Sequence, residues 1–398
     1  MGSKSNIEWT DASWTPIRAM VATPDGPRFG WHCEHISEGC RNCYAESMNK
    51  RLGTGVEFKP GVLAHVNKFG EPRGEVSIFL DETMLLAPLR WKKPRRIFVC
   101  SMTDLFADFV PDAWIDRIFA VMALAPQHTF QLLTKRSKRM REHCSNKSFI
   151  GRVAHQVLEM KRHGVISAAI GDETIARLHF GEALPNLWLG VSAEDQTRAD
   201  ERIPDLLATP AAVRFVSAEP LLGPIDFTAL DIGGDAEMNA LRPSSYAEVW
   251  RDCWSPEATG EPLDECIEAF VDEGGVYPPT DTRPPGLDWI IVGGESGPGA
   301  RPCWVPGVRT IVRQCQSAGV AVFVKQLGAN VQDRNDAGFE GNDPHEWPDI
   351  DPATIEHDVN GFREDYQGAP CRTRLKDRKG GDMTEWPVDL RIREEPRR

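Results

Sequence analysis

Six short apolar runs, each ending in polar or glycine residues and followed by an amphipathic stretch, constrain this chain more than any other feature. Arg96-Ile97-Phe98-Val99-Cys100 leads into Ser101-Met102-Thr103-Asp104, and Thr129-Phe130-Gln131-Leu132-Leu133 into Thr134-Lys135-Arg136. Leu187-Trp188-Leu189-Gly190-Val191 ends in Ser192-Ala193-Glu194-Asp195, and Val213-Arg214-Phe215-Val216 in Ser217-Ala218-Glu219-Pro220. Trp289-Ile290-Ile291-Val292 ends in Gly293-Gly294-Glu295-Ser296-Gly297, and Val320-Ala321-Val322-Phe323-Val324 in Lys325-Gln326. Unbroken apolar runs of this length suit strands buried on both faces, as in a parallel sheet covered by helices. Between them lie helical patterns, such as the one opening at Pro111-Asp112, where Trp114, Ile118, Phe119 and Met122 recur at helical spacing. The expected class is α/β, barrel or doubly wound. In a barrel the polar tips converge on one face, where such folds place their active sites.

A chain of 398 residues accommodates one elaborated barrel. Residues 1–328 read as that barrel, a partial TIM-like (β/α)6-7 unit. Residues 228–286, acidic and punctuated by Pro and Gly, read as an insertion between the fifth and sixth strands, and 329–398 as an acidic C-terminal extension over the barrel. A net charge of −13 argues against a broad nucleic-acid-binding surface. It leaves room for a local basic groove, although the basic runs Arg90–Arg96 and Lys135–Arg139 read first as solvated helix faces. No apolar run is long enough to span a bilayer. The first residues, MGSKSNIEWTDASW, lack the pattern of a signal peptide, so the ten cysteines are expected in a reducing cytosol as free thiols or ligands.

Cys33, Cys40 and Cys43 fall within eleven residues, in WHCEHISEGCRNCYAE. A structural zinc site is closed by four protein ligands, whereas a cluster held by three thiolates leaves one iron open to a further ligand. His32 and His35 beside Cys33 would complete a tetrahedral zinc set, and inert buried thiols are the third reading. Cys100, at a strand end, is a candidate fourth ligand. Cys144, Cys253, Cys266, Cys303, Cys315 and Cys371 are scattered without ligand spacing and read as structural. A short strand around Phe29 to His32 is expected as the first of the barrel, making Trp289–Val292 the sixth. Tyr44 to Leu52 reads as the first helix, with Ala45, Met48 and Leu52 along one side.

Among the other tips, Gly293 and Gly294 permit close approach of a phosphate or adenosine group, or form a tight turn. Glu194 and Glu219 are carboxylates facing a shared cavity. Lys135-Arg136 is suited to gripping a carboxylate or phosphate, or to capping its strand, and Lys325 is placed to face the barrel mouth.

The stretches Ile7-Glu8-Trp9-Thr10-Asp11, Gly39-Cys40-x-Asn42-Cys43-Tyr44-Ala45-Glu46, Ser101-Met102-x-Asp104-Leu105-Phe106, Leu133-Thr134-Lys135-Arg136, Glu219-Pro220-Leu221-Leu222-Gly223-Pro224, Val292-Gly293-Gly294-Glu295-Ser296-Gly297 and Lys325-Gln326 together resemble an uncharacterised phage-encoded family with a three-cysteine motif. That family in turn resembles the radical S-adenosylmethionine (radical SAM) enzymes. The resemblance covers most of residues 5–328. It implies a partial βα barrel of the radical SAM type and a [4Fe–4S] cluster on Cys33, Cys40 and Cys43, whose free iron chelates SAM. One electron then releases methionine and a 5′-deoxyadenosyl radical that abstracts hydrogen from substrate.

By position, the resemblance implies that Ser101, Thr103 and Asp104 meet the methionine amino group. It places Ser192 and Glu194 at the ribose or amino-acid part of SAM, and Gly293 and Gly294 beside the adenine. Lys135, Glu219, Glu295, Lys325 and Gln326 are left to position substrate. The spacing Cys33-x6-Cys40-x2-Cys43 is longer between its first two cysteines than the x3 usual in radical SAM enzymes. The expectation is therefore a radical SAM enzyme in the host cytoplasm, served by an electron donor and acting on a nucleotide or modified DNA base. The sequence identifies no partner protein. The rivals are a zinc-stabilised nucleic-acid-binding module and a barrel hydrolase with structural cysteines.

Overall fold

A computed structural model describes residues 5, 7–23, 25–61, 64–66, 72–178, 183–233, 237–243, 285–333, 371–372, 375–377 and 379–396. Its centre is a seven-stranded parallel sheet whose spatial order follows the chain. The strands are Ala12–Trp14, Arg96–Val99, Thr129–Thr134, Leu187–Ser192, Val213–Ala218, Trp289–Gly293 and Ala321–Gln326, each paired in parallel with the next. All six runs read from sequence are strands, and helices at Asp112–Leu124 and Val305–Ala318 match their patterns.

The first strand differs from expectation. It is Ala12–Trp14, with Ala12 and Trp14 fully buried, and not the segment around Phe29. Residues Gly26–Gly30 instead form a hairpin with Ile17–Thr23, turning at Gly26, whose φ of 108° favours glycine. Together with Pro72–Leu80 and Ala64–Val66 they make a separate antiparallel sheet. The physical reason lies in the burial pattern. Ile17, Ala19 and Val21 are buried and alternate with partly exposed residues, as in a sheet with one wet face, and Phe29 is 49% exposed. Trp289–Gly293 remains sixth in the barrel order.

Alternation along each strand sends successive residues to opposite faces, and here both faces are dry. Ile97, Val99, Leu132, Val191, Ile290 and Val322 join the large core beneath the helices, whereas Phe98, Trp188, Phe215, Trp289, Ile291 and Phe323 form a second cluster inside the curl. Trp9, just ahead of the first strand, inserts there. Its ring lies 4.8 Å from Phe98 on the second strand and 6.2 Å from Trp289 on the sixth, so strands far apart in the order meet around it. The sheet is thus curled into a half-barrel with an aromatic floor. Gln131 Nε2 donates to Trp9 O at 3.2 Å and holds the insertion in place. Above the floor the same parity brings Ser192, Ser217, Gly293 and Lys325 to the inner face.

The end of the chain belongs to the barrel unit. Ile392 O accepts from Val324 N and Glu394 N donates to Val322 O, each at 2.9 Å, so this segment runs antiparallel along the seventh strand. Trp289 Nε1 donates to Glu394 O at 2.9 Å, and Glu395 pairs with Arg96 at the second strand. The tail therefore spans the gap between the two sides of the half-barrel, and Trp386 and Leu390 are buried in the main core. In the stretch read as an insertion, Leu230–Asp231 and Glu237–Met238 pair, and Leu230, Ala240 and Leu241 are rooted in the same core. Most of the remainder of that stretch, with Cys253 and Cys266, lies outside the described residues. Among the described residues no helix is long and apolar enough to cross a membrane.

Candidate functional site

The three cysteines lie on the loop that joins the antiparallel hairpin to the helix Tyr44–Leu52. That helix has the expected bounds but not the expected buried face, which is Ala45, Glu46 and Asn49, while Leu52 is 64% exposed. Polar chemistry explains the change. Asn49 Oδ1 accepts from Trp31 N at 3.0 Å and Thr54 N at 3.2 Å, and its Nδ2 donates to Thr54 Oγ1 at 2.9 Å and Val56 O at 3.0 Å. Glu46 accepts from Phe58 N at 3.0 Å. Two buried polar side chains thus tie the start of the loop and the segment after the helix to that helix, with backbone groups satisfied that burial would otherwise orphan.

The thiols of Cys33, Cys40 and Cys43 are half-buried, and Cys33 and Cys43 border a small apolar cluster of Ala45, Phe58 and Met102. Burial pushes the Cys33 thiol up to about 12, with Asp104, Cys43 and Cys40 adding to the effect and Arg136 opposing it. Burial also raises Cys43, against hydrogen bonding from the amides of Glu46 and Ala45 in the first helical turn. All three thiols sit on this one loop, within eleven residues. Cys100 is buried in the outer core at a left-handed backbone position, φ 55°, and burial raises its thiol as well, with Asp104 and Cys33 contributing. His32 is 2% exposed, between Phe109 and Phe58, with both ring nitrogens unpartnered. Burial lowers its pKa, the Glu34 charge opposing and Arg136 adding. Among the described residues, no three His, Cys, Asp or Glu side chains are gathered as the ligands of a single ion.

Strand tips converge on this loop, as the barrel reading requires. At the second strand Tyr44 Oη donates to Ser101 O, and Thr103 Oγ1 donates to His32 O at 2.6 Å. Asp104 is occupied internally: it accepts from Thr134 Oγ1 at 2.7 Å, Phe106 N and Lys135 N at 3.0 Å, and Arg136 at 3.1 Å. The basic run after the third strand is likewise engaged within the fold, because Arg139 donates to Ala107 O and Val110 O and pairs with Asp112.

At the fourth strand Glu194 is wholly buried, 3.0 Å from Arg202 and 3.4 Å from Lys135, and its Oε1 accepts from Gly39 N at 3.3 Å. Burial pushes this carboxyl up, but Lys135 and Arg202, with Ser37 and the Gly39 amide, outweigh that and hold it at about 2. Ser192, also buried, offers its carbonyl to Arg202 at 2.8 Å. At the sixth strand Glu295 accepts from Asn42 Nδ2 at 2.8 Å and from Arg301 N, Nε and NH2 at 3.0, 3.2 and 2.8 Å. Arg301 NH1 in turn donates to Glu38 O at 2.9 Å.

The fifth and seventh strands meet across the sixth. Glu219 and Lys325 pair at 3.1 Å, and a Cβ on Gly293 would stand 2.8 Å from Glu219 Oε1, so glycine there leaves room for the pair. Burial raises the Glu219 carboxyl against the pull of Lys325. Gly294 is required by packing, since a Cβ would lie 2.6 Å from Cys303 Cβ, and Gln326 Nε2 bonds to Gly294 O at 2.9 Å.

Thr103, Glu194 and Glu295 bond to the cysteine loop or its residues, Asp104 is taken up by Thr134, Lys135 and Arg136, and Cys100 lies in the outer core. Asn49, Glu46, Asn42, Arg202 and Arg301 were not legible as site residues. Signals were nonetheless present for Asn42 and Glu46, which stand in the motif around Cys40 and Cys43, and for Arg202, which lies on the helix following the Glu194 tip. No curated protein and no solved structure matches the chain. Residues 4–382 match the family described as Protein of unknown function, DUF5131, and the chain belongs to that family.

Proposed function

We propose that this protein is a radical SAM enzyme, with Cys33, Cys40 and Cys43 holding a [4Fe–4S] cluster at the mouth of the half-barrel. One observation carries the reading: three half-buried thiols share a loop that strand tips tie down over a parallel half-barrel. The donor set fits the group. Soft thiolates suit iron–sulfur clusters, and the amides at the start of the helix Tyr44–Leu52 favour the thiolate of Cys43. Loading has to displace protons that burial retains on Cys33 and Cys43.

When bound, the cluster with SAM supplies one-electron chemistry and hydrogen-atom abstraction, the electron coming from a separate donor. The chain supplies the setting. Trp9, Phe98, Trp188, Phe215 and Trp289 seal the floor against water from the far end. Arg136 and Asp104 neutralise each other beside Cys33, and Lys135 places a positive charge near Cys43. Glu219 and Lys325 offer an acceptor and a donor side by side on the inner face, suited to orienting a polar substrate such as a nucleotide or DNA base. Anaerobic reconstitution with iron and sulfide tests the reading. The expected product is brown, with iron and sulfide near ~4 each per chain, colour lost in Cys40→Ala, and SAM cleaved under reductant. A colourless protein that takes up one zinc refutes it.

A further inference from the structure

We propose that Glu194 and Glu295 are positioning residues that clamp the cysteine loop on both sides of Cys40 and fix its path before any metal is bound. The loop has little local structure of its own, one short 3-10 turn at Glu38–Cys40 closed by Cys40 N to Ser37 O at 3.0 Å. Around Cys40, between Glu38 and Asn42, contacts from distant parts of the chain hold it. Glu194, from the fourth strand, accepts from Gly39 N at 3.3 Å, one residue before Cys40. Glu295, from the end of the sixth, accepts from Asn42 at 2.8 Å, one residue before Cys43. Arg301, itself gripped by Glu295, donates to Glu38 O at 2.9 Å.

Each carboxylate is saturated by these partners. Glu194 has no exposed surface and bonds to Arg202, Lys135, Gly39 and Ser37, and Glu295 takes one bond from Asn42 and three from Arg301. A carboxylate offers about four lone-pair sites, so neither is left to bind a nucleotide or an amino-acid ligand. Gly39 fits the same account. A Cβ there would sit 2.9 Å from Glu194 Cδ, so a larger residue would push the carboxylate away from the Gly39 amide. Holding the loop by buried charge moves its ordering entropy into folding, leaving less to be lost when a ligand arrives.

The test uses the metal-free full-length protein and reads thiols by anaerobic alkylation with iodoacetamide and peptide mass spectrometry. Asn42→Ala and Glu295→Gln are expected to speed alkylation of Cys40 and amide hydrogen exchange in residues 38–43 by about tenfold, the equivalent of one charge-assisted hydrogen bond. Cys144 and Cys315, buried elsewhere in the core, report global opening and are expected to keep their wild-type rates. Glu194→Gln leaves Arg202 without its ion pair and lowers overall stability, whereas Asn42 is exposed and its variant removes only the bonds to Glu295 and to Gly299 O. Unchanged Cys40 reactivity in Asn42→Ala, or acceleration of Cys144 and Cys315 in proportion, overturns the clamp. The clamp stands apart from the identity of the metal. If the wild type takes up no iron yet alkylation shifts as stated, the clamp is supported and the cluster reading fails.

Discussion

Gly190 is the point where the aromatic floor is most exposed to a single methyl group. It faces Phe215 directly in the pairing of the fourth and fifth strands, and a Cβ built on it would stand 2.5, 2.6 and 2.6 Å from three atoms of the Phe215 ring. Ordinary carbon contacts begin near ~3.5 Å, so the ring or the strand must give by about 1 Å. Phe215 has nowhere to go: it is fully buried, 5.8 Å from the Trp289 ring and 6.3 Å from Trp9. Overpacking of this kind costs about 1–3 kcal/mol. Replacing glycine by alanine returns roughly 0.4–1 kcal/mol through the unfolded chain.

The expected net effect of Gly190→Ala is therefore a loss of about 1–2 kcal/mol, read as a lower urea midpoint at unchanged slope. Phe215→Leu alone leaves a cavity and destabilises by a similar amount. In the double variant the added methyl occupies part of that space, so the two losses should fall short of additivity by about 1 kcal/mol. A neutral or stabilised Gly190→Ala, or a strictly additive double variant, would show that Phe215 does not lie over Gly190 and that the floor is built differently.

Two further outcomes follow from the charges and the tail. Glu194 titrates at about 2 in the fold against 4.5 as a free side chain, so its contribution is complete above pH 4.5 and is lost as pH falls toward 2. The shift corresponds to roughly 3 kcal/mol, and the stability gap between wild type and Glu194→Gln in urea titrations should shrink between pH 5 and about 3; a gap independent of pH refutes the assignment. Deleting residues 382–398 strips the seventh strand of its bonds to Ile392 and Glu394 and uncovers Trp289 Nε1. With Trp386 and Leu390 also lost from the core, the expected cost is several kcal/mol, at ~2–3 for each large side chain. The bare strand edge should promote self-association, visible in light scattering. A monomeric truncation with the wild-type melting temperature would refute the strap.

The six barrel strands were legible because a strand buried on both faces must be apolar at every position, and such runs are rare outside parallel sheets. The first strand escaped notice for a converse reason. Ala12–Trp14 is three residues long, too short to display a pattern, while the hairpin after it carries the β-rich residues that draw attention. The cysteine spacing was legible, and so was the convergence of strand tips around it. The use of those tips was not. Glu194 and Glu295 look from sequence like ligands for a small molecule, and in the fold they are consumed by Arg202, Lys135, Gly39, Asn42 and Arg301. Arg301 lies six positions from Glu295, but Asn42 is 253 residues away, a distance no local pattern spans.

The sequence alone determined the α/β class, the order of the strands after residue 95, the helix beginning at Tyr44 and the three thiols in one loop. These follow from periodicity, residue type and spacing, which are local properties of a chain. Only the tertiary structure decided which side chains are free at the mouth and which hold it together, and that the last residues strap the half-barrel at its edge. A carboxylate's role depends on which donors reach it first, and those donors are set by the curl of the sheet.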